Sequence, residues 1–325
     1  MRLDPFVLAL LAVAVATACT VKAPGKAPSS SPELANGSFV AELNGFRIHY
    51  EVHGQGPVLM ALTNSWGLSL EALRAMYRPL EERLTLVYFD PRGMGGSGAV
   101  REESDRGLAA VRADFQALRS HLEIEKVNAI GWSNGAINLI WLAHERPETL
   151  SSAIFVHGVA SSGPEDTKAV QAQHPELMKK YVALMNAEAK PGLSVAEQNA
   201  LQRKMWLEDY FPILCADPAK GRAVVAEVFR DAQLSWPHAD YANKEMPAFD
   251  ARDKLAAIPV RSLVIAGAHD LLPPDRVKVL AEGIPGARFV AFTKSGHFAP
   301  VEEPEGFRAA VYGFLGVEGA SPAGR

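Results

Sequence analysis

One stretch of the chain decides the fold: Val127-Asn128-Ala129-Ile130-Gly131-Trp132-Ser133-Asn134-Gly135. The apolar run at its start predicts a buried strand, and a helical pattern begins where the stretch ends. The two glycines lie two residues on either side of Ser133, where a tight turn leaves no room for side chains. A strand, sharp turn and helix in this order present a serine hydroxyl at the tip of the turn. We therefore predict that Ser133 is a nucleophile at the end of a strand.

Outside this stretch, short apolar runs alternate with helical patterns. The predicted strands are 58–62, 84–89, 127–130, 153–156, 262–266 and 288–292. The predicted helices are about 69–83, 104–121, 134–146, 275–283 and 304–315. Short, wholly apolar strands separated by helices are typical of a parallel sheet covered on both faces. The pattern predicts an α/β fold with a doubly wound, mostly parallel sheet.

The sheet is expected to open with an antiparallel pair. The runs Phe39–Leu43 and Arg47–Val52 flank Asn44-Gly45, and this dipeptide is the strongest short-range signal for a hairpin turn.

The alternation stops between about Gly163 and Leu255. This part is rich in Glu, Lys, Gln, Ala and Met and has helical periodicity with few strand-like runs. We expect an inserted helical cap at 162–252, lying over the edge of the sheet. The core then comprises 38–161 and 253–316, and 317–325 form a tail.

The N-terminal segment has the pattern of an export signal. Arg2 precedes the apolar run Phe6–Ala18, which is too short to span a bilayer as a helix. Residues 16–19 resemble the lipobox of bacterial lipoproteins, in which the cysteine, here Cys19, is lipidated after cleavage. We expect a signal peptide at 1–18, a tether at 19–37, and a lipid-anchored protein in the bacterial cell envelope, facing the periplasm or the outside. Plain secretory cleavage and an uncleaved membrane anchor remain the alternatives.

Composition excludes several classes of function. The 325 residues are 48% hydrophobic and 22% charged, with 33 basic and 37 acidic side chains and a net charge of -4. This balance offers no basic surplus for nucleic acid. The two cysteines exclude a disulfide framework, and the nine histidines show no HxH or HExxH spacing, so we expect no metal.

A serine nucleophile needs a base, and the base needs an orienting carboxylate. Asp270 follows the predicted strand 262–266, and His297 follows the predicted strand 288–292. Loops after the carboxyl ends of parallel strands share one crevice. We therefore expect Ser133, Asp270 and His297 to meet there. The alternatives without a catalytic role are a structural serine, a helix-capping aspartate and a loop histidine.

Residues 39–316 resemble the α/β-hydrolase superfamily, in particular its capped branch of proline iminopeptidases and related esterases. Besides the serine turn, the resemblance rests on the turn Asp90–Ser97, the acid loop Gly267–Asp270 and the histidine loop Gly296-His297. It implies hydrolysis through an acyl-enzyme on Ser133, with no cofactor and with a helical cap that forms the pocket for a small-molecule substrate.

The chain departs from the family after the predicted strand 58–62. The family usually has His-Gly there, whereas this chain has Thr63-Asn64-Ser65-Trp66-Gly67. That loop donates one N–H group to the oxyanion hole, and the residue after the nucleophile donates the other. We expect the backbone N–H groups of Asn134 and Ser65 to be these donors.

The substrate class stays open at this stage. The candidate pocket residues are Trp66, Trp132, His157, Trp206 and Glu208. In proline iminopeptidases acidic cap residues hold the amino group of the substrate, and Glu208 could do so here. An ester of a small or medium apolar acid is equally compatible. An acyltransferase, a C–C bond hydrolase, or a non-catalytic surface lipoprotein that binds a ligand or partner would carry the same pattern.

Overall fold

The structure is a computed structural model that describes residues 33–163, 168, 171–172, 175–188, 192–246 and 249–317. The predicted signal peptide, Cys19 and most of the tether lie outside the described residues, as does almost all of the predicted tail. The first strand begins at Gly37, so the last residue of the predicted tether belongs to the sheet.

Eight strands form one sheet in the order β1-β2-β4-β3-β5-β6-β7-β8. Their bounds are β1 Gly37–Leu43, β2 Phe46–Gly54, β3 Val58–Leu62, β4 Thr85–Phe89, β5 Val127–Trp132, β6 Leu150–Val156, β7 Ser262–Gly267 and β8 Arg288–Phe292. Strand β2 is antiparallel to β1 and β4, and the pairs from β4 to β8 are parallel. The predicted doubly wound, mostly parallel sheet is confirmed.

The hairpin between β1 and β2 has the predicted turn. Asn44 and Gly45 have φ values of 52° and 78°, and both residue types tolerate this left-handed backbone. Two positive φ values are what a tight hairpin turn requires.

Ten α-helices can be assigned among the described residues. They are α1 Leu70–Tyr77, α2 Leu108–His121, α3 Asn134–Glu145, α4 Pro175–Glu188, α5 Val195–Met205, α6 Pro218–Val228, α7 Trp236–Glu245, α8 Pro274–Gly283, α9 Ala299–Glu302 and α10 Pro304–Leu315. The predicted helix 69–83 is divided, because a 3-10 turn containing Pro79 replaces its second half. The predicted helix 104–121 is interrupted at Gly107, which separates a 3-10 turn from α2.

The core consists of two apolar clusters, one on each face of the sheet. In β3, Met60 and Leu62 belong to one cluster, and Leu59 and Ala61 belong to the other. Alternate residues of a strand point to opposite faces, so a strand with both faces buried has to be apolar throughout. All five residues of β3 are buried.

Helices α4–α7 occupy the insertion between β6 and β7. The segment Trp206–Tyr210, directly after α5, forms a π-helical turn. Within the described residues, we find no helix long and apolar enough to span a membrane.

Asp90, in the turn after β4, makes hydrogen bonds that connect this turn to the first helix and to the first two strands. Its Oδ1 accepts the Leu70 N–H at 2.8 Å, and its Oδ2 accepts the Gly96 N–H at 2.9 Å. The same Oδ2 lies 2.7 Å from Nδ1 of His49, whose Nε2 lies 2.8 Å from Oγ of Ser38 on β1. The carboxylate is therefore saturated by structural contacts.

Candidate active site

Ser133 lies in a sharp turn between β5 and α3. Its backbone has φ 54° and ψ −119°, a conformation that residues with side chains rarely adopt. Two hydrogen bonds hold it, because its N–H donates to Val156 O at 2.8 Å and its carbonyl accepts the Ala136 N–H at 2.9 Å. The serine is only partly buried, in keeping with a hydroxyl that a substrate can reach.

The two glycines of the turn are sterically required. A Cβ at Gly131 would lie 2.4 Å from the carbonyl oxygen of Gly135, and a Cβ at Gly135 would lie 2.5 Å from that of Leu62. Real Cβ atoms do not approach backbone oxygens so closely. The space around the turn therefore explains the glycine spacing in the sequence.

Asp270 and His297 form an ion-pair contact at the carboxyl ends of β7 and β8. Nδ1 of His297 lies 2.8 Å from Oδ2 of Asp270, whose side chain is fully buried. Burial by itself would raise the pKa of the carboxyl group. The charge of His297 and the contacts with His157 and His297 outweigh it and hold the pKa of Asp270 well below its usual value. Asp270 is thus ionised and can orient the imidazole.

The loop that carries His297 is fixed by Glu302 and Trp132. The Glu302 carboxylate accepts the N–H groups of Gly296 at 2.9 Å and Phe298 at 3.2 Å. The Trp132 indole N–H donates to the His297 carbonyl at 2.8 Å. Because these bonds bracket the histidine on both sides, its backbone position is well determined.

Ser133, Asp270 and His297 line one cavity of about 690 Å³. Its walls are mainly apolar, with Trp66, Leu68, Trp132, Trp206, Phe211, Leu214 and Leu271 among the lining residues. The volume is in the range of small-molecule sites. The structure therefore brings the three predicted residues together in an apolar pocket.

Four of the five predicted pocket residues line this cavity: Trp66, Trp132, His157 and Trp206. Glu208 does not. It lies in a separate surface cleft with Asp209 and Lys180, and Lys180 pairs with Asp209 at 2.9 Å. Both carboxylates belong to the π-helical turn that also contains Trp206, and the turn directs them toward the cleft rather than the cavity.

The Ser65 N–H is already occupied in this structure. It donates to the side-chain oxygen of Asn134 at 2.8 Å, and the Ser65 hydroxyl donates to the same oxygen at 2.8 Å. The next N–H in the loop, that of Trp66, donates to the Asn64 side chain at 2.6 Å. Ser65 can therefore donate to an oxyanion only after the Asn134 carboxamide turns away.

The backbone N–H of Asn134 is placed differently. Asn134 is the first residue of α3, and the first N–H groups of a helix have no acceptor within it. This predicted donor is compatible with an oxyanion hole as the structure stands.

The cavity-lining residues that were not predicted from the sequence include Asn243, Met246 and Arg276. Arg276 lies in the first turn of α8, six residues after Asp270. Its closeness to the acid in the sequence could have indicated that it lies near the site. Asn243 and Met246 come from the insertion, where no motif marks a position.

A second histidine, His157, lies beside the acid. Its Nδ1 is 2.9 Å from Oδ2 of Asp270, and its ring centre is 5.1 Å from that of His297. One nitrogen or oxygen atom from each of His157, Asp270 and His297 lies within 4.8 Å of the other two, a spacing at which the three atoms could also bind a metal ion. Both histidines and Asp270 line the cavity that Ser133 also lines.

Comparison with known proteins identifies the family of the chain. The family model described as "alpha/beta hydrolase fold" matches residues 60–304. The chain is 28% identical over 279 residues to a putative carbamate hydrolase, RutD, of Caulobacter vibrioides. The alignment covers 84% of this chain and 96% of that protein. It is 24% identical over 236 residues to a proline iminopeptidase of Levilactobacillus brevis, covering 71% of this chain and 78% of the relative.

Among solved structures, an α/β-fold hydrolase from Bacillus anthracis str. Sterne superimposes with a TM-score of 0.70 at 21% identity. The match covers 86% of this chain and 99% of that one. At this identity it supports the fold alone. Since the family model spans most of the chain, the protein belongs to the α/β-hydrolase family.

Proposed function

We propose that this hydrolase cleaves carboxylic esters of small or medium size through an acyl-enzyme on Ser133. The observation that carries the proposal is that Ser133 lines the same cavity as the His297–Asp270 pair. A nucleophile, a base and an acid that orients the base are the minimum set for this chemistry.

In the first half of the reaction, His297 takes the proton of the Ser133 hydroxyl while Oγ attacks the ester carbonyl. The Asn134 N–H stabilises the oxyanion, and Asp270 stabilises the imidazolium. His297 then gives its proton to the leaving alcohol as the C–O bond breaks. In the second half, His297 deprotonates a water molecule, which attacks the acyl-enzyme, and the proton returns to Ser133 as the acid leaves.

The cavity favours an uncharged acyl group over an aminoacyl group. Its walls are mainly apolar, the charged side chains of Lys168 and Arg276 among them are cations, and Asp270 is the one carboxylate among the described residues that line it. Because Asp270 is committed to two histidines, it is a poor partner for a substrate ammonium group. Glu208, the predicted partner, faces another cleft. We therefore favour ester hydrolysis over the aminopeptidase activity of the Levilactobacillus relative.

Matched chromogenic substrates test the proposal. The purified protein and its Ser133→Ala variant are each assayed with p-nitrophenyl butyrate and with proline-p-nitroanilide. We expect hydrolysis of the ester that the substitution reduces by about 10⁴-fold or more, and little hydrolysis of the anilide. Preferential cleavage of the anilide would overturn the ester assignment, and ester hydrolysis unchanged in Ser133→Ala would overturn the acyl-enzyme.

One observation favours a second candidate, a non-catalytic binding protein on a hydrolase fold. The Ser65 N–H is occupied by Asn134, which leaves the oxyanion site with one donor in this structure. A folded protein that does not turn over esters but whose melting temperature rises with an apolar ligand would support this candidate.

We further propose that the chain is exported and anchored through lipid on Cys19. The support is the short apolar run at 6–18 followed by a cysteine.

A further inference from the structure

His157 combines three unusual features. It follows β6 directly and has a φ of 53°, in the left-handed region. Its side chain is fully buried. Neither of its ring nitrogens has a well-aligned hydrogen-bond partner among the described residues, although Nδ1 lies 2.9 Å from Asp270 Oδ2.

Each of these features costs stability. A non-glycine residue with positive φ is strained, and a buried polar atom without a well-aligned partner carries a desolvation penalty. A glycine would avoid both costs. Strained, poorly satisfied residues persist mainly where they serve a site, and His157 lines the cavity of Ser133.

The two histidines approach the same atom. Nδ1 of His297 is 2.8 Å and Nδ1 of His157 is 2.9 Å from Oδ2 of Asp270. A carboxylate oxygen only accepts hydrogen bonds. The Nδ1–H of His297 meets that oxygen in a hydrogen bond. A proton on Nδ1 of His157 lies close to the same negative charge, although its N–H is not well aligned with Oδ2.

We propose that His157 is a positioning residue, whose neutral imidazole keeps its proton on Nδ1, against Oδ2 of Asp270, and so shares with His297 the carboxylate oxygen that orients the base. The proposal rests on the proposed function of Ser133.

Burial lowers the pKa of His157, and this outweighs the opposing effect of Asp270. The imidazole is thus neutral at neutral pH. Other titratable groups near the acid are His297, Tyr210 and Glu302, and the cations Lys168 and Arg276 line the cavity. With His157 removed, Oδ2 of Asp270 contacts His297 alone, and the carboxylate that orients the base loses one of its two neighbours.

Two variants separate positioning from packing. In His157→Asn, the side-chain N–H₂ occupies nearly the place of Nδ1, and asparagine tolerates a positive φ. In His157→Phe, the ring remains but the donor is lost. The kcat/KM for p-nitrophenyl butyrate is measured from pH 5 to 9 in the presence of EDTA, so that no stray metal occupies the cluster.

We expect His157→Asn to retain kcat within about 3-fold and to keep the wild-type pH profile. We expect His157→Phe to lower kcat by about 10-fold or more and to change the pH profile of kcat/KM, because the carboxylate that orients His297 loses the contact with His157. Superimposable profiles for all three proteins, or an asparagine variant that behaves like the phenylalanine variant, would overturn the proposal.

A spectroscopic measurement covers the case in which His157→Phe does not fold. Imidazole protons bonded to a buried carboxylate give downfield proton NMR signals. We expect two such signals in the wild type and one in His157→Asn; one signal in both would overturn the proposal. If the wild type hydrolyses no ester, the proposed function fails, yet the NMR result still decides where the His157 proton lies.

Discussion

The side-chain oxygen of Asn134 accepts two hydrogen bonds from Ser65, one from its backbone N–H and one from its hydroxyl, both at 2.8 Å. Because of this contact, the Ser65 N–H, which the sequence predicts as the second donor of the oxyanion hole, is not free to bind an oxyanion. The carboxamide is buried, so an oxyanion can gain the Ser65 N–H only in exchange for it.

Removing the carboxamide should therefore spare catalysis. In Asn134→Ala, the backbone N–H of residue 134 stays and the Ser65 N–H becomes free for the oxyanion. We expect kcat for p-nitrophenyl butyrate to stay the same or rise, and the free energy of unfolding to fall by about 1–3 kcal/mol.

Asn138→Ala provides the control on the same helix. Asn138 is fully buried, and neither polar atom of its side chain has a partner among the described residues. We expect its loss to leave kcat unchanged. A fall of about 100-fold or more in Asn134→Ala, with the protein folded, would mean that the carboxamide itself acts in the reaction.

The position of Glu208 gives a second prediction. Because Glu208 lies outside the cavity, Glu208→Gln should change kcat/KM by less than about 2-fold for ester and anilide substrates. Trp66→Leu serves as the contrast. Trp66 lines the cavity and packs on Trp206 at 6.0 Å between ring centres, so its loss should raise KM. Equal effects of the two substitutions would contradict the assignment of the pocket.

The buried histidines predict how stability depends on pH. His238 is buried and accepts the Ser235 hydroxyl at 2.7 Å, while its Nε2 donates to the Arg92 carbonyl at 2.8 Å. Burial lowers its pKa from 6.5 to about 4. The unfolded chain therefore binds a proton before the folded protein does, and the stabilisation is complete above pH 6.5 and is lost as pH falls toward 4.

Between pH 6.5 and about pH 4, we expect the free energy of unfolding to fall by about 1.4 kcal/mol for each unit by which the pH is lowered, owing to the one proton that His238 binds in the unfolded chain. His238→Gln should remove that slope, and the exposed His121→Gln should not. Denaturant titrations at several pH values measure the slope of the free energy of unfolding against pH. His157 acts in the same direction, since burial also lowers its pKa. An unchanged slope in His238→Gln would show that the protonation of other groups governs the acid sensitivity.

Export and lipidation are tested in cells. In a bacterial host grown with a labelled fatty acid, the full-length chain should incorporate label and fractionate with membranes. Cys19→Ser should lose both properties, whereas Cys215→Ser should keep them. Cys215 is buried, and burial raises the pKa of its thiol to about 12, so it is a poor site for modification. Label retained in Cys19→Ser would contradict the lipid anchor.

Much of the fold could be predicted because its signals are local. The apolar runs of β3, β4 and β7 are short and continuous, as strands buried on both faces must be. The glycines at 131 and 135 mark the serine turn because contacts with the backbone exclude any side chain. Pro79 and Gly107 interrupted helices that periodicity alone joined.

The site was less predictable where it depends on contacts between distant parts of the chain. The contact between Ser65 and Asn134 joins residues 69 positions apart. The contact between His157 and Asp270 depends on the register of β6 against β7, so no short motif indicates it. Glu208 was wrongly expected in the cavity because proximity in sequence to Trp206 does not determine which side of a π-helical turn a residue faces.

The central claim is that Ser133 is the activated serine, and the chain contains its own control. Ser38 also lies 2.8 Å from a histidine that contacts a buried aspartate. However, Ser38 is exposed on the edge strand β1, does not line the cavity, and its network is saturated at Asp90.

The most direct measurement is labelling of the folded protein with a fluorophosphonate, alongside Ser133→Ala and Ser38→Ala. We predict covalent labelling of the wild type and of Ser38→Ala, and none of Ser133→Ala. Labelling that persists in Ser133→Ala, or an unlabelled wild type that is shown to be folded, would contradict the account.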